Sequence, residues 1–196
     1  MDSRKKTGGL TRRGFLRGLA AAVSVPYLDR FPGLGSSAVL NDVFWVKGIP
    51  DHPFYDPGQP NYHVGLDSLL HLMADNGLMF YRSSGGHPLA GPTGLIAPSD
   101  VVLLKVNAQW KYRGCTNSDL IRGLIQRILD HPDGFNGEVV IVENGQGRGN
   151  LSCATTAAYG GDRSVHANAN DESHNFLYMV EKVFSDRLVS ATIIDP

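Results

Sequence analysis

The feature that most constrains this chain is a strand–helix–strand pattern between residues 101 and 143. "VVLLKVN" (101–107) and "EVVIVE" (138–143) are near-continuous apolar runs, the mark of strands covered on both faces. Between them Leu120, Ile121, Leu124, Ile125, Ile128 and Leu129 recur at helical spacing, which gives one apolar face. Arg122, Gln126, Arg127 and Asp130 fall on the other. Burying such a face is worth about 10 kcal/mol gross, at about 1.5–3 kcal/mol per side chain. Thr116 is placed to cap the helix, Asp119 sits where the helix dipole favours an acid, and Pro132 and Gly134 end it. A packed helix joining two strands makes those strands parallel and the crossover right-handed.

The pattern repeats. Asp171 is read as the start of a second helix with Phe176, Leu177, Val180, Val183 and Phe184 on one face, followed by a strand over 188–195. Upstream, "VFWVKGI" (43–49) and "LMFYRS" (78–83) read as strands. They flank a helix over 62–77 with Leu66, Leu69, Leu70 and Met73 on its inner face and Asn76-Gly77 as its stop. The expected fold is α/β: a mostly parallel sheet with βαβ crossovers and helices packed on its faces. Because the sequence ends at Pro196 directly after the last strand, a fold cut short at its C-terminus is part of this expectation.

Residues 1–38 have another character. Over residues 1–17, Arg4, Lys5, Lys6, Arg12, Arg13 and Arg17 stand against one acid, Asp2. Arg12, Arg13, Phe15 and Leu16 stand in the order of a twin-arginine export signal, and the apolar run that follows (18–25) falls short of the about 20 residues that span a bilayer. The expectation is export by the twin-arginine machinery to the periplasm or another extracytoplasmic space, with no permanent membrane anchor. The layout is then a signal and linker over 1–38, a strand, helix and loop region over 39–98, and an α/β domain over 99–196. Net charge of -1 and the lack of a basic run in the body argue against a nucleic-acid partner. Cys115 and Cys153 are open to pairing in an oxidising compartment if their Cα atoms lie within about 7 Å, and two thiols are too few to hold an iron–sulfur cluster.

In an open parallel sheet, ligands bind beyond the carboxyl ends of the strands. The strands read here end at Asn107, Glu143 and Asp195, so "NAQWKYRGC" and "ENGQGRGN" share one rim. Lys105, Lys111 and Arg148 bring positive charge to it. Asn107, Thr116, Asn144, Gly145 and Gln146 bring neutral hydrogen-bonding groups and backbone that a ligand can approach closely. Glu143 and Lys105 are the candidates for proton transfer, and the others for binding a small polar or anionic ligand. The glycines at 145, 147 and 149 do not form a dinucleotide fingerprint, and no helix opens directly after them. His166 and His174 bracket Asn168, Asn170, Asp171 and Glu172, but this is ordinary capping chemistry ahead of a helix, and no metal site is assigned. His52, His63, His71, His87 and His131 are scattered and read as surface or loop residues.

"VVLLKVNAQW", "TNSDLIRGLIQRIL" and "GEVVIVENG" resemble the bacterial domain of unknown function 362 over residues 99–196. The matching positions are Lys105, Asn107, Thr116, Glu143 and Gly145. The resemblance implies an α/β domain that continues past the third strand. Some members of that family carry ferredoxin-like iron–sulfur segments. This chain lacks their Cys-x-x-Cys clusters, so its cofactor is left unassigned and no iron–sulfur cluster is expected from this chain alone. Three functions follow: an extracytoplasmic enzyme on a small polar substrate, a binding or accessory protein without turnover, or a component of an iron–sulfur-linked redox system.

Overall fold

The computed structural model describes residues 42–54, 59–108, 114–143 and 167–193. The chain divides into two units, Met1–Val43 and Phe44–Pro196, and the architecture below belongs to the second. Its elements are α1 (Val64–Asp75), β1 (Tyr81–Arg82), β2 (Ala90–Gly91), β3 (Val101–Lys105), α2 (Ser118–Leu129), β4 (Glu138–Glu143), α3 (Phe176–Tyr178, running into a π-helical turn over Met179–Val183) and β5 (Val189–Ile193).

The fold is α/β. β3, β4 and β5 form one parallel sheet in sequence order, with Val101 opposite Glu138 and Val139 opposite Val189. β1 and β2 form a second parallel pair, extended by a bridge from Tyr81 to Ile96. The core gathers Ile121, Ile125, Ile128 and Leu129 of α2 with Val139 and Ile141 of β4 and Phe176, Met179 and Phe184 from the α3 region. Gly77 takes positive φ (83°) just past α1, a conformation that β-carbon sterics deny to most residues, so that stop signal acts as read; α2 ends at Leu129 with Asp130 as its cap, and Gly134 (φ 79°) closes a later turn by donating to His131 O.

Several elements differ from the sequence expectation, each for a physical reason. Residues 42–50 form no strand, and Trp45 and Ile49 are exposed. The strand read over 78–83 is confined to Tyr81–Arg82. β3 is covered on one face only among the described residues: Val101 and Leu103 are 62% and 65% exposed, whereas Val102 and Leu104 pack against the core.

The polar face of α2 is not a solvated face. Asn61 donates to Gln126 Oε1 (3.0 Å) and accepts from Arg122 Nε (2.7 Å), and Tyr62 donates to Asp130 Oδ2 (2.6 Å). Arg127 makes two bonds of 2.6 Å to Asp67 of α1 and lies 4.4 Å from the centre of the Tyr62 ring. This network buries Gln126, while Leu120 of the apolar stripe stays exposed. Burial and the bond to Asp130 push the Tyr62 hydroxyl pKa up, and burial, against the opposing charge of Arg127, pushes that of Tyr81 up strongly.

The helix read from Asp171 starts later. Asp171 closes a local turn with Ser173, accepting from its amide (2.9 Å) and its hydroxyl (2.6 Å). Asn175 then caps α3 by accepting from Tyr178 N–H (2.7 Å). The π-turn bonds Phe184 N–H to Met179 O (2.8 Å), and this wider turn brings Met179 into the core beside Phe176 and Phe184.

Candidate functional site at the carboxyl edge of the sheet

Parallel pairing in register makes β3, β4 and β5 finish together: Lys105 stands opposite Val142, and Glu143 opposite Ile193. Glu143, on the central strand, is only 3% exposed. Its two oxygens have different partners. Oε1 meets Lys105 Nζ at 3.0 Å, and Oε2 accepts the Ala108 N–H at 2.8 Å. A buried carboxylate needs such compensation, and here a cation and a backbone donor supply it. Lys105 also donates to the Val106 carbonyl, yet its side chain remains 61% exposed. The ammonium group is therefore held at the sheet edge by two protein acceptors, on a side chain that is largely open to solvent.

The turn after β3 is held from the other side. Asn107 N–H donates to Thr116 Oγ1 (2.8 Å), and Thr116 N–H donates to Asn107 O (2.8 Å). This reciprocal clamp closes the loop between β3 and α2. Thr116 is thus not the helix cap. Asn117 caps α2, its Oδ1 accepting from Leu120 N–H at 2.8 Å. The structure brings Lys105, Asn107, Thr116 and Glu143 to one edge. Lys111, Asn144, Gly145, Gln146 and Arg148 lie outside the described residues, as do Arg12, Arg13, Phe15 and Leu16 of the export motif, and Cys153.

Two histidines read as surface residues are buried. His63 is the N-cap of α1, its Nδ1 accepting from Leu66 N–H (3.1 Å). His131 bonds Ile96 O through Nε2 (3.0 Å), accepts from Asp133 N–H through Nδ1 (3.2 Å), and packs edge-on to Tyr81. No local pattern signals either position, because tertiary packing buries them; the one usable cue for His63 is its place just ahead of the helical run. His174 stacks on Tyr178 (4.4 Å between ring centres) and lies 3.4 Å from Asp171. Hydrogen bonds from Ser173 hold the Asp171 carboxyl below its ordinary pKa. Among the described residues no three His, Cys, Asp or Glu side chains cluster as metal ligands, and no helix is long and apolar enough to cross a membrane.

Fold and edge together define an α/β protein with an exposed lysine side chain bonded to a buried glutamate at the end of a parallel sheet. No family model, curated protein or solved structure matches the chain.

Proposed function

We propose that this chain is an exported α/β protein that binds a small polar or anionic ligand at the carboxyl edge of β3, β4 and β5. One observation carries the reading: Glu143 is buried at the end of the central strand with both oxygens engaged, and it holds the ammonium group of Lys105, whose side chain is itself largely exposed. A surface lysine without such backing samples many rotamers, whereas this one is held toward the place where α/β sheets receive ligands. Lys105 supplies the charge that meets the ligand, and Glu143 positions it. The 3.0 Å contact between them also provides a donor and an acceptor for proton transfer, should the ligand be turned over. The resemblance to the domain of unknown function 362 at Lys105, Asn107, Thr116 and Glu143 agrees with this edge as the site, and the order of Arg12, Arg13, Phe15 and Leu16 agrees with export.

Calorimetric titration of the native protein with phosphate and short dicarboxylates tests the reading. The expected result is saturable binding that Lys105→Gln weakens by about tenfold, the loss of one charge-assisted contact. Equal affinity in native protein and variant would overturn it. Glu143→Gln separates enzyme from binder: an enzyme loses turnover at retained affinity, whereas a binder has none to lose. Export is tested by Arg12→Lys with Arg13→Lys, which is expected to leave a fused reporter in the cytoplasm.

A further inference from the structure

A pocket of about 480 Å3 opens where the N-termini of α1 and α2 approach each other. It falls within the roughly 300–1,000 Å3 range of small-molecule sites. Ile49, Pro50, Pro53 and Leu120 make one part of its wall apolar, and His63, Asn117, Asp119 and Asn168 make the rest polar.

Two of these polar side chains are almost entirely buried: His63 is 5% and Asp119 3% exposed. Each has one polar atom committed within the protein. His63 Nδ1 accepts from Leu66 N–H, and Asp119 Oδ2 accepts from Asn170 N–H (2.7 Å). The remaining atoms, His63 Nε2 and Asp119 Oδ1, have no hydrogen-bond partner among the described residues. No fully buried side-chain nitrogen or oxygen there lacks a partner, so these two atoms are reached by solvent, and both residues line the pocket.

The chemistry of the two atoms selects the ligand. Because Nδ1 accepts, a neutral His63 carries its proton on Nε2 and can only donate there. That excludes it as a metal ligand, which needs the Nε2 lone pair. Asp119, with Asp51 also in the wall, repels anions. An ammonium group satisfies Asp119 but has no lone pair for His63. Hydroxyl groups do both, accepting from Nε2–H and donating to the carboxylate. The apolar wall suits the C–H face of a sugar ring.

We propose that this pocket binds a neutral polyhydroxylated ligand of monosaccharide size, with His63 Nε2–H as donor and Asp119 Oδ1 as acceptor. The assignment is independent of the Lys105–Glu143 reading.

The test is amide NMR of the full chain titrated with glucose, mannose, galactose and myo-inositol, with inorganic phosphate and calcium chloride as charged probes. At least one sugar or cyclitol is expected to shift the amide signals of His63, Leu120 and Asn168 saturably. Asp119→Asn and His63→Asn are each expected to weaken that binding by about tenfold, and a change at the exposed Arg187, Arg187→Gln, to leave it unchanged. Asparagine serves at helix N-caps, so His63→Asn keeps α1 capped, and a thermal melt of each variant verifies folding. Saturable shifts with phosphate or calcium in place of the sugars would overturn the proposal, as would no response to any polyol or equal affinity in both variants.

Discussion

Arg127 of α2 and Asp67 of α1 form a two-pronged ion pair with both contacts at 2.6 Å. Asp67 is buried, and Arg127 is largely covered by the Tyr62 ring. Hydrogen bonding to Asp67 raises the Arg127 pKa against the opposing effect of burial, so the guanidinium keeps its charge. Breaking a buried pair from one side leaves an uncompensated charge, whereas replacing both partners by apolar groups removes the desolvation cost as well. Asp67→Asn is expected to destabilise the protein by about 3 kcal/mol, and the double change Asp67→Leu with Arg127→Met by much less. Urea denaturation midpoints at constant slope measure both; a double variant as unstable as the single one would refute the account.

Gly123 lies in the middle of α2, where glycine ordinarily costs about 0.5–1 kcal/mol relative to alanine. Here the glycine is required by packing. A Cβ built on it would stand 2.5 Å from His63 Cβ and 3.4 Å from Leu66 Cδ2, at the contact between α1 and α2. His63 Cβ is bonded directly to the backbone, and the His63 backbone nitrogen stands 3.4 Å away, so the helices must separate to admit a methyl group. Gly123→Ala is therefore expected to destabilise by about 1–3 kcal/mol despite its better helix propensity. A raised melting temperature in this variant would show that the helices are less tightly apposed.

Burial lowers the His63 pKa from its ordinary 6.5, against the opposing field of Asp119, and burial with nearby Arg127 lowers that of His87. Both groups bind fewer protons folded than unfolded. Their contribution to stability is thus complete above about pH 6.5 and is lost as pH falls through the folded-state values. Melting temperature is expected to decline below about pH 6.5, and His63→Asn with His87→Asn to flatten that decline. Calorimetric scans from about pH 8 to about pH 5 decide it.

The parts of the fold legible in the sequence are those set by periodicity. The spacing from Leu120 to Leu129 gives α2, the flanking apolar runs give β3 and β4, and parallel pairing puts Lys105 and Glu143 at one edge. What was not legible depends on neighbours distant in sequence. Nothing in "VVLLK" tells that Val101 and Leu103 stay exposed, since an apolar run does not say which of its faces is covered. Gln126, Arg127 and Asp130 look solvated until Asn61, Tyr62 and Asp67 are brought against them. His63 has neither a repeat nor a motif to mark it, yet it caps α1, lines the pocket between the helix N-termini and contacts Gly123. At Glu143 the sequence places the carboxylate, but only the coordinates reveal that both its oxygens are already engaged.

The start of α2 offers a test in which two adjacent residues have separable roles. Thr116 and Asn117 are both good caps by type, and the sequence reading assigns the role to Thr116. In the structure Asn117 Oδ1 takes the Leu120 N–H, while Thr116 Oγ1 takes the Asn107 N–H and locks the turn after β3. Asn117→Ala is expected to cost about 1 kcal/mol by uncapping the helix, and to speed hydrogen exchange at Leu120. Thr116→Val removes the acceptor for Asn107 without touching the cap. Its faster exchange is expected at Asn107 and Ala108, with Leu120 unchanged. Because Ala108 N–H is the donor that holds Glu143 Oε2, this second variant is also expected to loosen the Lys105–Glu143 pair. Site-resolved exchange measured on both variants assigns the roles; acceleration at Leu120 in Thr116→Val would return the cap to Thr116.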